Sequence, residues 1–236
     1  MRIEEPPELI KKAPPIAGEE FSRTIAVEFE KVSEFESARR AFNALTVIWN
    51  VSPVTESEKL SDNNGMEQAA LDRNLYLYRF SGNLGALLRI DSPAGLELVI
   101  PGIPGKRFVS LVGVEGEQLL IDPPIVGRKS LSFSELEKHW SGQCFLLWKD
   151  PLDLLPRMSI GSRGDPIKWL QNLLSEAGAY NVPKTGIYDE DTISAVKKFQ
   201  SSMKIQEDGI VGDQTLMLLY RSIDRFKMPR LTVERK

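Results

Sequence analysis

The sequence predicts an α+β fold, in which helices and an antiparallel sheet are followed by a small three-helix module. Apolar residues recur every three or four positions over 32–49, which is the period of one helix face. Three strand-like segments follow between residues 95 and 122, separated by hairpin-length turns. A loop-then-helix phrase then occurs twice, as GIYDEDT at 186–192 and as GIVGDQT at 209–215. Helices first and strands after them are typical of the α+β class.

Composition excludes several functions. The 236 residues are 42% hydrophobic and 27% charged, which is ordinary for a globular chain and sufficient for two modest cores. A formal charge of -3 without a local Lys/Arg cluster offers no basic field, so we expect no nucleic-acid partner. One histidine, His139, and one cysteine, Cys144, cannot build a zinc site or an internal disulfide. We therefore expect no metal and no cofactor.

The sequence contains no recognisable membrane span or signal peptide. No apolar run approaches the ~20 residues needed to cross a bilayer, and the first residues lack the apolar core of a signal peptide. If the protein acts outside the cytoplasm, we expect its targeting or anchoring segment to lie outside this sequence.

The first 150 residues predict a linker and one domain. Residues 1–30 are rich in proline and charge, which favours an extended linker, with at most one strand at 24–29. The helix over 32–49 begins at Ser33, whose spacing to Glu36 is that of a capping box. The further elements expected in the domain 31–150 are helices at 66–73 and 131–140, the second capped by Ser132 or Ser134, a helical turn within 83–95 that breaks at Pro93, and strands at 75–80, 95–100, 107–114, 117–122 and 144–150.

Residues 151–157, with two prolines, form the junction to the module at 158–222. Asp165 is expected to cap the first module helix, with Pro166 at its first position. The tail at 223–236 is charged, and we expect it to dock loosely or fray. The predicted buried positions of the three helices are Ile167, Leu170, Leu173, Leu174, Ala177, Ile193, Val196, Phe199, Leu216, Leu219 and Tyr220.

The repeated phrase has a structural interpretation first. Gly186 and Gly209 lie where the backbone turns sharply, and Asp189 lies where a helix entry needs an acceptor. Turns and caps explain each of these residues better than direct ligand contact does.

The same stretch resembles the peptidoglycan-binding domain of type 1, a three-helix module attached to many bacterial wall proteins. The resemblance covers roughly residues 158–220 and is carried by IGSRGDPIKWLQNLLSEAG, TGIYDEDTISAVKKFQ and DGIVGDQTLMLL; Leu216 departs from it, because the family commonly has Trp there. It implies noncovalent binding to the wall and no catalysis. The residues proposed for peptidoglycan binding are Tyr188, Asp189, Gln200, Asp208, Gly209 and Thr215.

The first domain resembles the papain-like cysteine peptidases that process bacteriocin leaders, in the divergent form found in the general secretion pathway protein A family. The match lies in the long helix and in residues 107–148, and the order of the two domains is also similar. The resemblance implies a periplasmic region of a membrane-anchored protein, with an ATPase elsewhere, that assists a type II secretion channel. It also implies a secretion-pathway partner protein and leaves homo-oligomer formation open.

The peptidase residues are incomplete. The family has a cysteine at the start of the long helix, where Ser33 and Ser37 are the nearest polar residues here. Arg107 stands at the histidine position, and only Asp122 matches the family's orienting aspartate. His139 and Cys144 belong to the wrong elements, so we interpret them as a helix-end histidine and a buried strand cysteine. We therefore predict a non-catalytic domain.

Two alternatives remain at this point. The chain could be a wall hydrolase or peptidase that uses carboxylates or an unfamiliar nucleophile, with the module as its targeting domain. It could also be a protein-interaction scaffold whose module has lost its ligand. In either case the cleft of the first domain could survive as a groove for a peptide or a partner.

Overall fold

A six-stranded antiparallel sheet lies at the centre of the computed structural model, which describes residues 18–58, 60, 63–154, 158 and 160–232. The strand order is β1-β6-β2-β3-β4-β5. Within the described residues the elements are α1 (Gly18–Glu30), α2 (Glu34–Ile48), α3 (Asn63–Leu71), β1 (Tyr76–Ser81), α4 (Leu84–Ile90), β2 (Ala94–Leu98), β3 (Arg107–Glu115), β4 (Gln118–Ile125), β5 (Arg128–Ser132), α5 (Phe133–Glu137), β6 (Trp140–Trp148), α6 (Asp165–Glu176), α7 (Glu190–Ser202), α8 (Asp213–Arg221) and a 3-10 turn (Asp224–Phe226). The predicted class, helices plus an antiparallel sheet followed by a three-helix module, is confirmed.

Both faces of the sheet are covered. Along β6, Phe145 and Leu147 face a cluster that contains α2 and α3, whereas Cys144, Leu146 and Trp148 belong to the cluster on the other side. This alternation is the two-residue period of a strand. The cluster that contains Cys144, Leu146 and Trp148 also includes residues of α1 and α4 and the apolar faces of α6, α7 and α8. The apolar core is therefore continuous from the sheet into the module, and the division near residue 150 stays a prediction.

The predicted linker and strand at the N-terminal side are wrong where the structure describes them. Residues 18–30 form α1, and Phe21, Ile25 and Phe29 are all buried. Their spacing of four places the three side chains on one helical face, and that face packs into the core. The sequence pattern at 24–29 was too short to show this period. Residues 1–17 lie outside the described residues.

The helix starts are partly as predicted. Ser33 caps α2 by accepting from the Glu36 amide at 3.1 Å, and Ser132 forms a complete capping box with Glu135 on α5. The cap predicted at Asp165 is wrong, because Gly164 is the N-cap residue and makes no side-chain bond. Asp165 is instead the first helical residue, where its charge favours the positive end of the helix dipole.

Two further segments differ from the expectation. The sheet contains β5, which the sequence did not predict, and β6 begins at Trp140 because α5 ends already at Glu137. The tail is not frayed where it is described: Leu231 is buried, and its carbonyl accepts from the Val114 amide at 2.9 Å. Thr232 forms a parallel bridge with Val114. Residues 155–157 of the junction and 233–236 of the tail lie outside the described residues.

Candidate functional site

Each repeated loop of the module is held by a glutamine from the preceding helix. Gln171 of α6 and Gln200 of α7 are 0% and 1% exposed. A primary amide has two donors and an acceptor, so one buried side chain can satisfy several backbone groups of a turn. The two glutamines use these groups in the same way.

In the first loop, the Gln171 Oε1 accepts from the Gly186 amide at 2.9 Å. Its Nε2 donates to the Ile187 carbonyl at 3.0 Å and to the Thr192 Oγ1 at 2.9 Å. The Thr185 hydroxyl completes the set at 3.2 Å. The loop is thereby fixed to both helices that flank it.

In the second loop, Gln200 repeats this arrangement. Its Oε1 accepts from the Gly209 amide at 2.9 Å, and its Nε2 donates to the Ile210 carbonyl at 2.9 Å and to the Thr215 Oγ1 at 3.1 Å. Asp208 takes the place of Thr185, at 2.9 Å from the Nε2. The repeat is therefore one of hydrogen bonding as well as of sequence. Gln171 is not among the residues predicted from the sequence, although an apolar residue followed by a glutamine, Leu170-Gln171 and Phe199-Gln200, precedes each loop.

Four of the six predicted binding residues lie in this network or under it. Tyr188 is 2% exposed, and its hydroxyl donates to the Gly209 carbonyl at 2.9 Å. Gln200, Gly209 and Thr215 are also buried. These four hold the loops in shape, and their side chains are not presented to solvent. Direct ligand contact by them stays an untested prediction that their burial does not favour.

The other two, Asp189 and Asp208, keep their carboxylates near the surface. Asp189 is the N-cap residue of α7 and accepts from the Thr192 amide at 3.0 Å, as predicted. Asp208 accepts from the Ile210 amide at 2.9 Å as well as from Gln200. The predicted residues therefore lie together around the two loops, where they stabilise turns and cap a helix.

Ionisation states follow from these contacts. Burial raises the pKa of Tyr188 to about 12, so its hydroxyl stays protonated and donates. For Asp189, partial burial acts against ionisation, but the hydrogen bonds from Thr192 and Thr185 outweigh it and lower the pKa. The Ile210 amide and Gln200 likewise lower the pKa of Asp208. Both carboxylates are charged at neutral pH.

A cleft of about 200 Å³ lies beside α7, against the turn that follows α6. None of the six predicted residues lines it. The sequence does not predict this cleft. The residues of α7 that line it form a polar helix face, which by itself indicates exposure to solvent, and only the structure shows that the turn at 179–182 lies against that face. The cleft is lined by Ala179, Tyr180, Asn181, Val182, Asp191, Ser194, Ala195 and Lys198.

In the first part of the chain, the serine and the arginine at two of the peptidase positions make structural hydrogen bonds. The Ser37 hydroxyl, at the start of α2, donates to the Glu34 carbonyl at 2.8 Å and accepts from the Phe108 amide at 3.2 Å. Arg107 is buried, and its guanidinium donates to the carbonyls of Phe29, Pro104 and Lys106. These bonds join α1, α2 and β3.

Asp122, at the orienting position, does not complete a site. It lies on β4 opposite Ser110, and it is exposed. Among the described residues it makes no hydrogen bond or ion pair with Arg107. The three positions named by the resemblance therefore form no linked acid-base group in this structure.

His139 and Cys144 are placed as expected. The His139 ring is buried between α5 and β6, with Nε2 at 3.2 Å from the Ser22 hydroxyl of α1. Burial lowers the pKa of His139, with a smaller effect of Lys138. Cys144 is buried in β6, and burial raises the pKa of its thiol. A raised thiol pKa is the opposite of what a nucleophilic cysteine needs.

Two further kinds of feature are absent from the described part of the chain. No helix there is long and apolar enough to cross a bilayer. No group of three or more His, Cys, Asp or Glu side chains there is placed to hold a metal ion.

Comparison with known proteins gives a family match for the module. Residues 163–219 match the family described as "Putative peptidoglycan binding domain". The match begins just before α6 and ends inside α8, so it takes in both glutamine-held loops.

The chain is also similar to two curated proteins. It is 29% identical over 139 residues to general secretion pathway protein A of Aeromonas hydrophila, a match over 58% of this chain and 25% of that protein. It is 27% identical over 119 residues to the "Putative general secretion pathway protein A" of Escherichia coli (strain K12), over 50% of this chain and 24% of that protein. The match thus spans about a quarter of the length of these relatives.

One solved structure shares the fold. It is the periplasmic domain of the EpsAB fusion protein of the Vibrio vulnificus type II secretion system, with a TM-score of 0.50 and 23% identity over 84% of this chain and 83% of that chain. The chain is therefore similar to general secretion pathway protein A over 58% of its own residues, and its residues 163–219 match the family of putative peptidoglycan binding domains.

Proposed function

We propose that this chain binds peptidoglycan noncovalently through the module at 163–219, and that the preceding α+β part is non-catalytic. The observation that carries the proposal is the family match, which coincides with the segment where both loops are built and held from inside. A wall ligand of sugars and short peptides suits a shallow surface of amides, carboxylates and hydroxyls, which these loops and the neighbouring cleft offer.

The non-catalytic part of the proposal rests on Arg107 and on the start of α2. A guanidinium keeps its proton at all physiological pH values, so Arg107 cannot act as a general base. Its donors are used on three backbone carbonyls, and the start of α2 carries serines in place of a thiol. Losing both nucleophile and base removes nearly all the chemistry of such a site.

We further propose that the chain works in the periplasm, as part of a longer membrane-anchored protein, and helps a type II secretion channel pass the wall. The names of its relatives and of the solved periplasmic domain support this role. A single small module binds weakly, so residence on the wall would come from repeated epitopes, from a secretion partner or from self-association.

Sedimentation with purified sacculi tests wall binding. The whole chain should be used, because the apolar core runs from the sheet into the module and a deletion would expose it. We expect the chain to pellet with sacculi, to remain in solution with insoluble chitin, and to be released by an excess of soluble muropeptides. Equal recovery in the supernatant with and without sacculi would refute the proposal.

The non-catalytic part has its own test. Sacculi incubated with the chain should release no muropeptides above the background of buffer alone, measured by chromatography of the supernatant. Release that disappears on substitution of one carboxylate would show a wall hydrolase instead.

A further inference from the structure

The cleft beside α7 combines opposite charges on one helical face. Asp191, Ser194 and Lys198 line it from the helix, and their spacing of three and four residues is that of one face. Two turns separate Asp191 from Lys198, which corresponds to about 10 Å along the helix axis. At this spacing the carboxylate and the ammonium are not helix neighbours and do not neutralise each other.

Both charges are available to a ligand. Within the described part of the chain, the Asp191 carboxylate has no hydrogen bond or ion pair. The Lys198 Nζ donates to the Gly178 carbonyl at 3.1 Å, which uses one of its three donors. A ligand that places an ammonium at Asp191 and a carboxylate near Lys198 would satisfy both ends of the cleft.

Neutral polar groups lie in the same cleft. Ser194 and Asn181 are exposed, and in the described residues neither side chain has a hydrogen-bond partner. The apolar part of the lining comes from the buried Ala179, Tyr180 and Ala195 and from the exposed Val182. A hydroxyl and an amide beside this apolar lining suit the amide groups of a peptide backbone.

Size limits the ligand to a segment of a polymer. Sites for whole drug-sized molecules measure about 300–1,000 Å³. The cleft, at about 200 Å³, is smaller and open to solvent. It fits a short segment, the rest of which continues outside.

We propose that this cleft binds a peptide stem of the wall, with Asp191 pairing with a free amine and Lys198 with a free carboxylate. This inference rests on the proposed wall-binding function and names the part of the polymer that is recognised. The glycan strands carry hydroxyl and acetamido groups, whereas the stems carry the free amines and carboxylates. The two opposite charges of the cleft therefore match the stem and not the strand.

Four substitutions on α7 provide the test. Asp191→Asn and Lys198→Gln each remove one charge from the cleft. Glu190→Gln and Lys197→Gln are the matched controls, because they remove the same charges one position away, outside the cleft lining. All four positions are exposed, so we expect the fold to be retained.

The probe is a synthetic stem peptide with a free side-chain amine and a free C-terminal carboxylate, titrated into the whole chain by calorimetry or by amide chemical shifts. We expect each cleft variant to weaken binding by about two- to fivefold, the upper part of the range for exposed charge pairs, and each control by less than about 1.5-fold. Acetylation of the amine should weaken binding to the wild type but not to Asp191→Asn. Amidation of the carboxylate should likewise weaken binding to the wild type but not to Lys198→Gln. Each modified peptide, combined with its variant, forms a double-mutant cycle that isolates one charge pair.

A second measurement separates this inference from the proposed function. Sacculi stripped of their stems by an amidase should no longer sediment the chain. If stripped and intact sacculi sediment it equally, or if the cleft variants bind the peptide like the wild type, the inference is wrong while wall binding stands. If intact sacculi do not sediment the chain at all, the proposed function itself fails.

Discussion

Arg221, the last residue of α8, donates from its Nη1 to the backbone carbonyl of Asp91, the C-cap residue of α4. Its Nη2 reaches the Ser92 hydroxyl at 3.0 Å and the Pro229 carbonyl. One guanidinium thus ties together the module, the α+β part and the tail. The Asp91 carboxylate adds a bond from the Leu231 amide at 3.1 Å and another from the Thr232 amide at 3.0 Å.

Replacing Arg221 should loosen this junction. We expect Arg221→Ala to lower the free energy of unfolding by about 2–4 kcal/mol, because three acceptors lose a charged donor in a buried place. Arg221→Lys should recover only part of this, since an ammonium cannot span the fork. Urea denaturation followed by tryptophan fluorescence measures both.

The control for this prediction is Arg225→Ala, at an exposed arginine that pairs with Glu176 at 3.1 Å. It should change the free energy of unfolding by less than about 1 kcal/mol. In Arg221→Ala alone, the amides of Leu231 and Thr232 should exchange hydrogen faster. Equal stability of the two variants would mean that the junction at Arg221 contributes little.

The loop glutamines make a second prediction. Gln200→Ala should destabilise the protein by about 2–4 kcal/mol, because the Gly209 amide and the Ile210 carbonyl lose their buried partner. Gln200→Glu should be at least as harmful at neutral pH, since it places an oxygen where the amide nitrogen faces Asp208 and Ile210. Chemical denaturation measures both, with the half-buried Gln214→Ala as control. A Gln200→Glu variant as stable as the wild type would contradict this account of the loop.

The single thiol gives a kinetic prediction. Burial raises the pKa of the Cys144 thiol, so little thiolate is present at pH 8 and reagents do not reach it. A disulfide exchange reagent should label the folded protein slowly and should label one thiol per chain at once in denaturant. Ser201→Cys, at an exposed position on α7, serves as a control in which the introduced thiol reacts immediately. Fast labelling of native Cys144 would show that β6 opens readily.

A pH prediction follows from Glu58 and Arg73. Bonds from the Arg73 guanidinium, at 2.8 and 3.1 Å, and from the Thr55 amide lower the pKa of Glu58 to about 2, below its ordinary value of 4.5. Because the folded pKa is the lower one, the stabilisation is complete above about pH 4.5 and is lost as the pH falls toward 2. Glu58→Gln should therefore cost about 1–2 kcal/mol at pH 7 and little at pH 2.

The measurement is urea denaturation of the wild type and of Glu58→Gln between pH 2 and pH 7. Glu56→Gln, in the same connection and exposed, should give a curve parallel to that of the wild type. A difference between wild type and Glu58→Gln that does not change with pH would rule out the ion pair as its cause.

Local pattern was enough for much of the fold. The three- to four-residue period of apolar side chains predicted α2 and the three helices of the module, and the spacing of Ser33 to Glu36 predicted the cap of α2. The alternation of apolar and polar residues predicted most of the strands. It failed for α1, whose apolar positions 21, 25 and 29 extend beyond the short window that resembled a strand. It also failed for β5, a short strand without an apolar period that pairs with the neighbouring β4. It failed for the tail because Thr232 is fixed by Val114, a partner far away in the chain.

By itself the sequence determined the family of the module, the two loops, and the absence of a cysteine and a histidine at the positions where a peptidase needs them. Only the tertiary structure decided what the side chains in and around these loops do: Tyr188, Gln200 and Thr215 are buried and hydrogen-bond to loop carbonyls or to each other. It also decided where a ligand can lie, since a cleft exists only when the turn after α6 is folded against α7. The reason is physical: a residue's type and spacing fix which local structures it can join, whereas its burial and its partners depend on segments that meet only on folding.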